Sequence, residues 1–165
     1  MENKRKIKKQ GFTIVEIIIV IVVVVSVFGT ILSFFTLDIR NNERNRNKLQ
    51  AVLFAKEAME AVRNFRDNTD WSVNGIGTLT AGADYHPVIA SSGWGIVSGV
   101  ESSEIFTRTV VFNNISRDAN DNIEIIYNPA NTDTNTKSVT VTVNWADRYG
   151  ETSESLKTYL TNWRN

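Results

Sequence analysis

The chain has 165 residues, with 18 basic and 18 acidic side chains and therefore no formal net charge. It contains no cysteine and one histidine, which excludes disulfide scaffolds, thiolate or multi-histidine metal sites and cysteine nucleophiles. Residues 1–11 hold five of the basic side chains and one of the acidic ones, so a basic head precedes a mildly acidic body, and this pattern argues against nucleic-acid binding.

Residues 12–37 are the first predicted element, a membrane-spanning helix that follows a leader at residues 1–11. Residues 17–37 form a run of 21 residues without a charge. As a helix this run extends about 31 Å, close to the bilayer's hydrocarbon core of about 30 Å, and a helix satisfies its own backbone hydrogen bonds in lipid. Five basic residues precede the run and two, Arg40 and Arg44, follow it, which predicts a cytoplasmic N-terminus and an extracytoplasmic body.

Three interpretations compete for this segment: a cleaved secretory signal, a permanent signal anchor and a more specialised anchor. The run is longer than the apolar part of a secretory signal, which has about 7 to 15 residues. Glu16 distinguishes the other two, because a carboxylate deep in hydrocarbon costs about 2.5–3.5 kcal/mol. Either Glu16 lies near the cytoplasmic interface, or it requires a partner cation, and the uncleaved chain offers none nearby on the same face except the leader lysines.

Residues 11–16 have the sequence Gly-Phe-Thr-Ile-Val-Glu, after a short basic leader and before the apolar run. This combination resembles the N-terminus of type IV pilins and of the pseudopilins of type II secretion. The resemblance implies that a prepilin peptidase cuts between Gly11 and Phe12 and methylates the new amine of Phe12. It also implies that Glu16 pairs with the N-terminal amine of a neighbouring subunit and sets the register of assembly. An ammonium and a carboxylate buried together cost far less than either alone.

Residues 38–70 are predicted to continue the helix as an amphipathic segment, because they contain no proline or glycine. The apolar side chains that recur at helical spacing, and that we expect to pack on a sheet, are Leu49, Val52, Leu53, Met59, Val62 and Phe65. We therefore predict one helix over about residues 13–67. Residues 55–63, Ala-Lys-Glu-Ala-Met-Glu-Ala-Val-Arg, are similar to a segment of minor pilins and minor pseudopilins, which favours a minor subunit.

Residues 71–165 are predicted to form a β-rich extracytoplasmic domain. Residues 72–104 are rich in glycine and predict an irregular region with short strands. Strand alternation marks four later segments, at residues 106–112, 123–127, 138–145 and 154–163. We expect a long loop at residues 128–137 and a loop of about five residues at 146–150. The predicted fold class is α+β, with a long N-terminal helix packed on a C-terminal antiparallel sheet, as in pilins.

One loop carries a pattern of oxygen-bearing side chains that is typical of calcium sites. The residues concerned are Asp118, Asn120, Asn122 and Glu124. The pattern lacks the glycine and the distant glutamate of an EF-hand, so we expect an exposed Asp/Asn turn without a metal, and no cofactor elsewhere. Asn114, Ile115 and Ser116 match the acceptor pattern for N-glycosylation, a triplet that is frequent by chance.

Function is predicted from the N-terminal resemblance, because the chain shows no glycine-rich phosphate loop, serine elbow or paired-carboxylate signal and His86 has no identifiable nucleophile partner. We expect no enzyme, and we expect His86 to be a surface or capping residue. The resemblance implies a structural subunit, a minor one, of a type IV pilus or of a type II secretion or competence pseudopilus. Its partners would be prepilin peptidase, other pilin subunits and an inner-membrane assembly platform.

The resemblance also implies a location. The precursor would be a single-pass membrane protein, and the processed subunit would lie in a pilus or pseudopilus at the cell surface or in the envelope. The alternative is a single-pass signal-anchored membrane protein with an extracytoplasmic ligand-binding domain. A third class, an extracytoplasmic hydrolase, would require a catalytic cluster of serine and aspartate residues with His86.

Overall fold

The computed structural model describes residues 11, 13–91, 93–148 and 150–163. It divides into two compact units, residues 1–45 and residues 46–165. Helix α1, Ile14–Asn68, begins in the first unit and continues into the second. The single helix predicted at residues 13–67 is therefore confirmed to within one residue at each end.

The first unit is dominated by the apolar beginning of α1. All residues from 14 to 42 are exposed, including the long run of isoleucine and valine. By length and composition, α1 can cross a membrane. Its exposed apolar side chains have no partner within the described chain, and burial in lipid or against other helices would remove them from water.

The second unit contains an antiparallel sheet of six strands among the residues that the structure describes. The strands are β1 Asp84–Ala90, β2 Gly93–Ser98, β3 Glu101–Ser103, β4 Phe106–Ser116, β5 Thr132–Asp147 and β6 Gly150–Thr161. Their order is β2-β1-β4-β5-β6, and β3 pairs with β4. Two single turns of 3-10 helix lie at Ile76–Thr78 and Pro129–Asn131. A long helix packed on an antiparallel sheet confirms the α+β class.

Three of the four predicted strands are confirmed as β4, β5 and β6, and each is longer than expected. β5 begins at Thr132, so the loop predicted at residues 128–137 is wrong over its last six residues. The polar start of β5 is held by pairing on both sides, with Ser116 of β4 opposite Thr132 and Thr161 of β6 opposite Thr136. Only residues 148 and 149 lie between β5 and β6, so the loop predicted at 146–150 is shorter than expected.

The strand predicted at residues 123–127 is wrong. This segment forms one isolated bridge, between Arg117 and Ile123, and then bends away. β4 already pairs with β5 along its full length, and β5 pairs with β6. The segment pairs with no strand beyond this bridge, although its sequence alternates as a strand does.

Half of the buried residues on the helix face that packs on the sheet are alanine. Met59, Val62 and Phe65 are buried as predicted, but Leu49 and Leu53 are 61% and 55% exposed, so their predicted burial is wrong. The other buried helix residues are Asn47, Ala51, Ala55, Ala58 and Ala61. Alanine methyl groups let a helix approach a sheet closely, and the larger side chains are then left on the flank. The strand residues of this core are Tyr85, Phe106, Val110, Phe112, Val139, Val141, Val143, Trp145 and Leu160.

Arg108 of β4 is a buried charge that connects the sheet to α1. Its Nε donates to Glu101 Oε2 at 2.8 Å, and its Nη1 donates to the Phe54 carbonyl at 3.0 Å and to Glu57 Oε1 at 3.3 Å. Its guanidinium carbon lies 5.9 Å from the centre of the Phe54 ring. Because burial removes the arginine from water, these contacts replace its hydration and fix the helix against β4.

Lys137 of β5 is a second buried cation. Its Nζ donates to the Leu79 carbonyl at 2.6 Å, just after the first 3-10 turn. Burial lowers the pKa of Lys137. This hydrogen bond holds the segment that follows α1 against the sheet.

Candidate functional site

The start of α1 is the candidate site, and Thr13 and Glu16 are joined there by two reciprocal hydrogen bonds. The Glu16 backbone N–H donates to Thr13 Oγ1 at 3.3 Å, and the Thr13 backbone N–H donates to Glu16 Oε2 at 3.4 Å. Thr13 directly precedes the helix and its carbonyl accepts the first turn's bond from Ile17. This is a capping box, which satisfies two backbone donors that the helix start would leave unpaired.

The capping box gives Glu16 a partner within its own chain. The Thr13 N–H is a donor to the carboxylate that was not predicted beside the two sequence-based alternatives, an interfacial position and a partner cation. The signal was present, because Thr-x-x-Glu before an apolar run is the sequence pattern of a capping box. Glu16 also lies in the first turn, where the positive end of the helix dipole favours a carboxylate. Glu16 is exposed, so its second carboxylate oxygen is open to a further donor.

The predicted cleavage site is only partly described. Gly11 is exposed, and a Cβ built on it meets no atom within 4 Å. The packing of the described chain therefore does not require glycine at this position. Phe12, the predicted site of N-methylation, and the leader residues 1–10 lie outside the described residues.

The apolar run of α1 carries one stripe of small and hydroxyl-bearing residues. These residues, spaced by three, one and three positions along one helix face, are Ser26, Gly29, Thr30 and Ser33. The three hydroxyls donate to carbonyls one turn earlier, at 2.8 Å from Ser26, 2.8 and 3.1 Å from Thr30 and 2.9 Å from Ser33. They are thus satisfied without water, and the small stripe is the kind of surface on which membrane helices approach one another closely.

The calcium candidate is organised as a turn. Asp118 Oδ1 accepts from the backbone N–H groups of Asn120 and Asn122 at 2.8 and 2.9 Å, and Asp118 Oδ2 accepts from the Asn122 side chain at 3.2 Å. Glu124 instead lines a cavity whose lining does not include the other three residues. In the part of the chain that the structure describes, no three His, Cys, Asp or Glu side chains are grouped to hold a metal ion.

Arg117 and Asp133 pair at the base of this turn. Arg117 Nε donates to Asp133 Oδ2 at 2.7 Å, and this hydrogen bond raises the pKa of Arg117. Burial raises the pKa of Asp133, but hydrogen bonds from Arg117, Thr136 and Asn135 and the charge of Arg117 outweigh it, so that the net shift lowers the pKa of Asp133. Hydrogen bonds from Asn122 are the main cause that lowers the pKa of Asp118.

These two lowered carboxyl pKa values predict acid sensitivity of the sheet domain. Each carboxylate contributes stability above its unfolded pKa of 3.8, and that contribution is lost as the pH falls through the lower folded pKa. The free energy of unfolding, measured by denaturant titration from pH 5 downward, should fall more steeply in the wild type than in Asp133→Asn. Equal slopes would show that Asp133 makes no such contribution.

His86 and the glycosylation triplet are placed by the sheet. His86 lies in β1 opposite Val97 and is partly buried, and its buried Nδ1 has no hydrogen-bond partner among the described residues. Ser116 is fully buried and its Oγ accepts from the Asn128 N–H at 2.9 Å. The Ser116 hydroxyl, which belongs to the triplet that starts at Asn114, therefore already makes a hydrogen bond within the fold.

Comparison with known proteins found no relative of this chain. The chain matches no model of a known protein family, no curated protein sequence and no solved structure. The geometry at Thr13 and Glu16, and the resemblance of residues 11–16, therefore carry the functional argument by themselves.

Proposed function

We propose that the chain is a structural subunit, a minor one, of a type IV pilus or of a type II secretion or competence pseudopilus. Prepilin peptidase removes residues 1–11 by cutting between Gly11 and Phe12, and the new amine of Phe12 is methylated. The proposal is supported by an exposed apolar helix start, a carboxylate inside it and a basic leader before it.

The observation that carries the proposal is the position of Glu16. Its carboxylate lies at the first turn of a helix whose next 21 residues are exposed and uncharged, and a single 3.4 Å contact from Thr13 holds one of its oxygens. Such a carboxylate is costly in lipid or among apolar helices. Cleavage before Phe12 creates an ammonium group, and pairing with that group on a neighbouring subunit would offset the cost.

Assembly then follows from burial of the apolar run. Burying residues 12–37 among like helices supplies the packing, and the stripe at Ser26, Gly29, Thr30 and Ser33 permits close approach of backbones. Glu16 sets the axial register, because a subunit at the wrong height would leave two charges unpaired. An inner-membrane assembly platform and other pilin subunits are the partners in this process.

Orientation follows from the charges that flank the run. Five basic residues before it and two after it place the N-terminus in the cytoplasm and the sheet domain outside the membrane. The peptidase acts on the cytoplasmic side, and the processed subunit is then located in a pilus or pseudopilus at the surface or in the envelope.

Intact mass tests the processing step. Membranes that contain the full chain, with and without a co-expressed prepilin peptidase, should differ by the mass of residues 1–11, offset by one methyl group. Gly11→Val should abolish at least nine-tenths of the cleavage, about a tenfold change, because a branched side chain precedes the scissile bond. The open space around Gly11 predicts that this variant keeps the fold. An unchanged mass with active peptidase would instead support a permanent signal anchor.

A further inference from the structure

The part of α1 in the second unit carries an exposed apolar pair on its side away from the sheet. Leu49 and Leu53 are 61% and 55% exposed and lie one helical turn apart. With about 3.6 residues per turn, they lie on the side of α1 opposite Ala51 and Ala55, which belong to the core against the sheet. Contact with another helix would remove both leucines from water.

A cation stands at each end of this apolar pair. Arg46 lies three residues before Leu49, Lys56 lies three residues after Leu53, and both cations are exposed. Spacings of three, four and three residues keep all four side chains on one side of the helix, over a length of about 15 Å. We call these four residues the outer face of α1.

The two cations are not neutralised within the fold. Among the residues that the structure describes, neither Arg46 nor Lys56 makes an ion pair or a side-chain hydrogen bond. Glu60, one turn after Lys56 on the same side of the helix, pairs instead with Arg63. The outer face of α1 therefore presents two leucines between two positive charges.

These charges disfavour a second copy of the chain as the partner. In a parallel pair of outer faces, Arg46 would lie opposite Arg46 and Lys56 opposite Lys56. In an antiparallel pair with the leucines in contact, Arg46 would lie opposite Lys56. Like charges that oppose each other across a contact weaken that pairing in either orientation. The complementary partner therefore carries acidic side chains at both ends of its own apolar pair.

We propose that the outer face of α1 binds an amphipathic helix of another protein, whose apolar pair is flanked by glutamate or aspartate. The two leucines provide the apolar contact, and the two cations determine which partner binds and in which register. The inference uses only residues 46–56, so it does not rest on leader cleavage or on the proposed filament.

Energy transfer between labelled copies tests the proposal, with an acidic copy of the chain as the probe. The acidic copy carries Arg46→Glu and Lys56→Glu, so it presents the same leucines between two negative charges. The chain has no cysteine, and Ser91→Cys in the exposed turn after β1 therefore gives each copy a single dye position. Donor and acceptor copies of the full chain are mixed in neutral phosphatidylcholine vesicles, where the cations meet no net lipid charge.

We expect the wild type to associate about tenfold more strongly with the acidic copy than with itself, because opposite charges then meet at both ends of the contact. Arg46→Glu alone, as a second probe, should give part of this gain. Leu53→Gln in the wild-type copy should remove most of it. About 1 M salt should also weaken the association, because exposed charges are screened.

The matched control is a copy with Arg148→Glu and Lys157→Glu, which makes the same change in net charge at exposed positions of the sheet region. This control should associate as the wild type does, and circular dichroism checks that every copy is folded. The proposal is contradicted if neither acidic probe associates with the wild type, if wild-type copies associate equally well with one another, or if the control shows the same gain. No peptidase is present, so these outcomes leave the proposed assembly role untouched.

Discussion

Glu16→Gln should reduce incorporation of the chain into filaments at least a hundredfold while leader cleavage continues. Glutamine keeps a side-chain oxygen that can accept from the Thr13 N–H, so the capping box and the helix start persist. Only the negative charge is lost, and in the proposed assembly the ammonium of a neighbouring Phe12 would then be buried without a counterion. Breaking a buried ion pair by removing one partner costs about 3–5 kcal/mol, which corresponds to two or more orders of magnitude in an equilibrium.

The measurement is the ratio of chain in sheared filaments to chain in membranes, by immunoblot, in cells that express the other subunits. Asp38→Asn is the matched control, because it removes an exposed carboxylate from the same helix after the apolar run. That control should incorporate normally. Equal incorporation of Glu16→Gln and wild type would refute the role of Glu16 in register.

Arg108→Met should destabilise the sheet domain by about 2–3 kcal/mol. Methionine fills much of the same volume, but it cannot replace the hydrogen bonds to Glu101 and to the Phe54 carbonyl that join β4 to α1. Hydrogen bonds to charged groups contribute about 1.5–3 kcal/mol each, and the freed carboxylate of Glu101, 35% exposed, regains part of its hydration. The loss is read from urea unfolding of the full chain in nanodiscs, followed by tryptophan fluorescence.

A graded series separates this contact from general repacking. Glu57→Gln should cost less than about 1 kcal/mol, because the Glu57 side chain is 48% exposed and its contact with Arg108 is the longer one at 3.3 Å. Glu101→Gln should fall between the two. If Glu57→Gln proved as damaging as Arg108→Met, the buried arginine would not be the main connection between helix and sheet.

The elements with strong local periodicity were predictable from sequence. The helix required only an apolar run followed by residues without proline or glycine, and β5 required only the alternation at residues 138–145. The predictions that were wrong concern segments whose structure depends on pairing with strands that are distant in sequence. Residues 123–127 alternate like a strand, yet they pair with the sheet only through the bridge at Ile123, and the polar residues from Thr132 become a strand because β4 and β6 pair with them. Local pattern cannot reveal which segments find a strand partner.

The prediction of which helix face is buried was partly wrong for a related reason. Helical spacing placed Leu49 and Leu53 on the predicted buried face, but the sheet is approached through Ala51, Ala55 and Ala58. Close approach favours small side chains, and this depends on the shape of the opposing surface rather than on hydrophobicity alone. At the candidate site, the roles of Gly11, Phe12 and Glu16 stay predictions from the resemblance, whereas the capping role of Thr13 follows from a local pattern.

The most direct measurement of the central claim is the N-terminal peptide of the chain recovered from sheared filaments, sequenced by tandem mass spectrometry. We expect a peptide that begins at Phe12, carries one methyl group on its amine and contains none of residues 1–11. A filament fraction in which the chain still begins at Met1, or a chain that is found only in membranes when filaments are abundant, would contradict it.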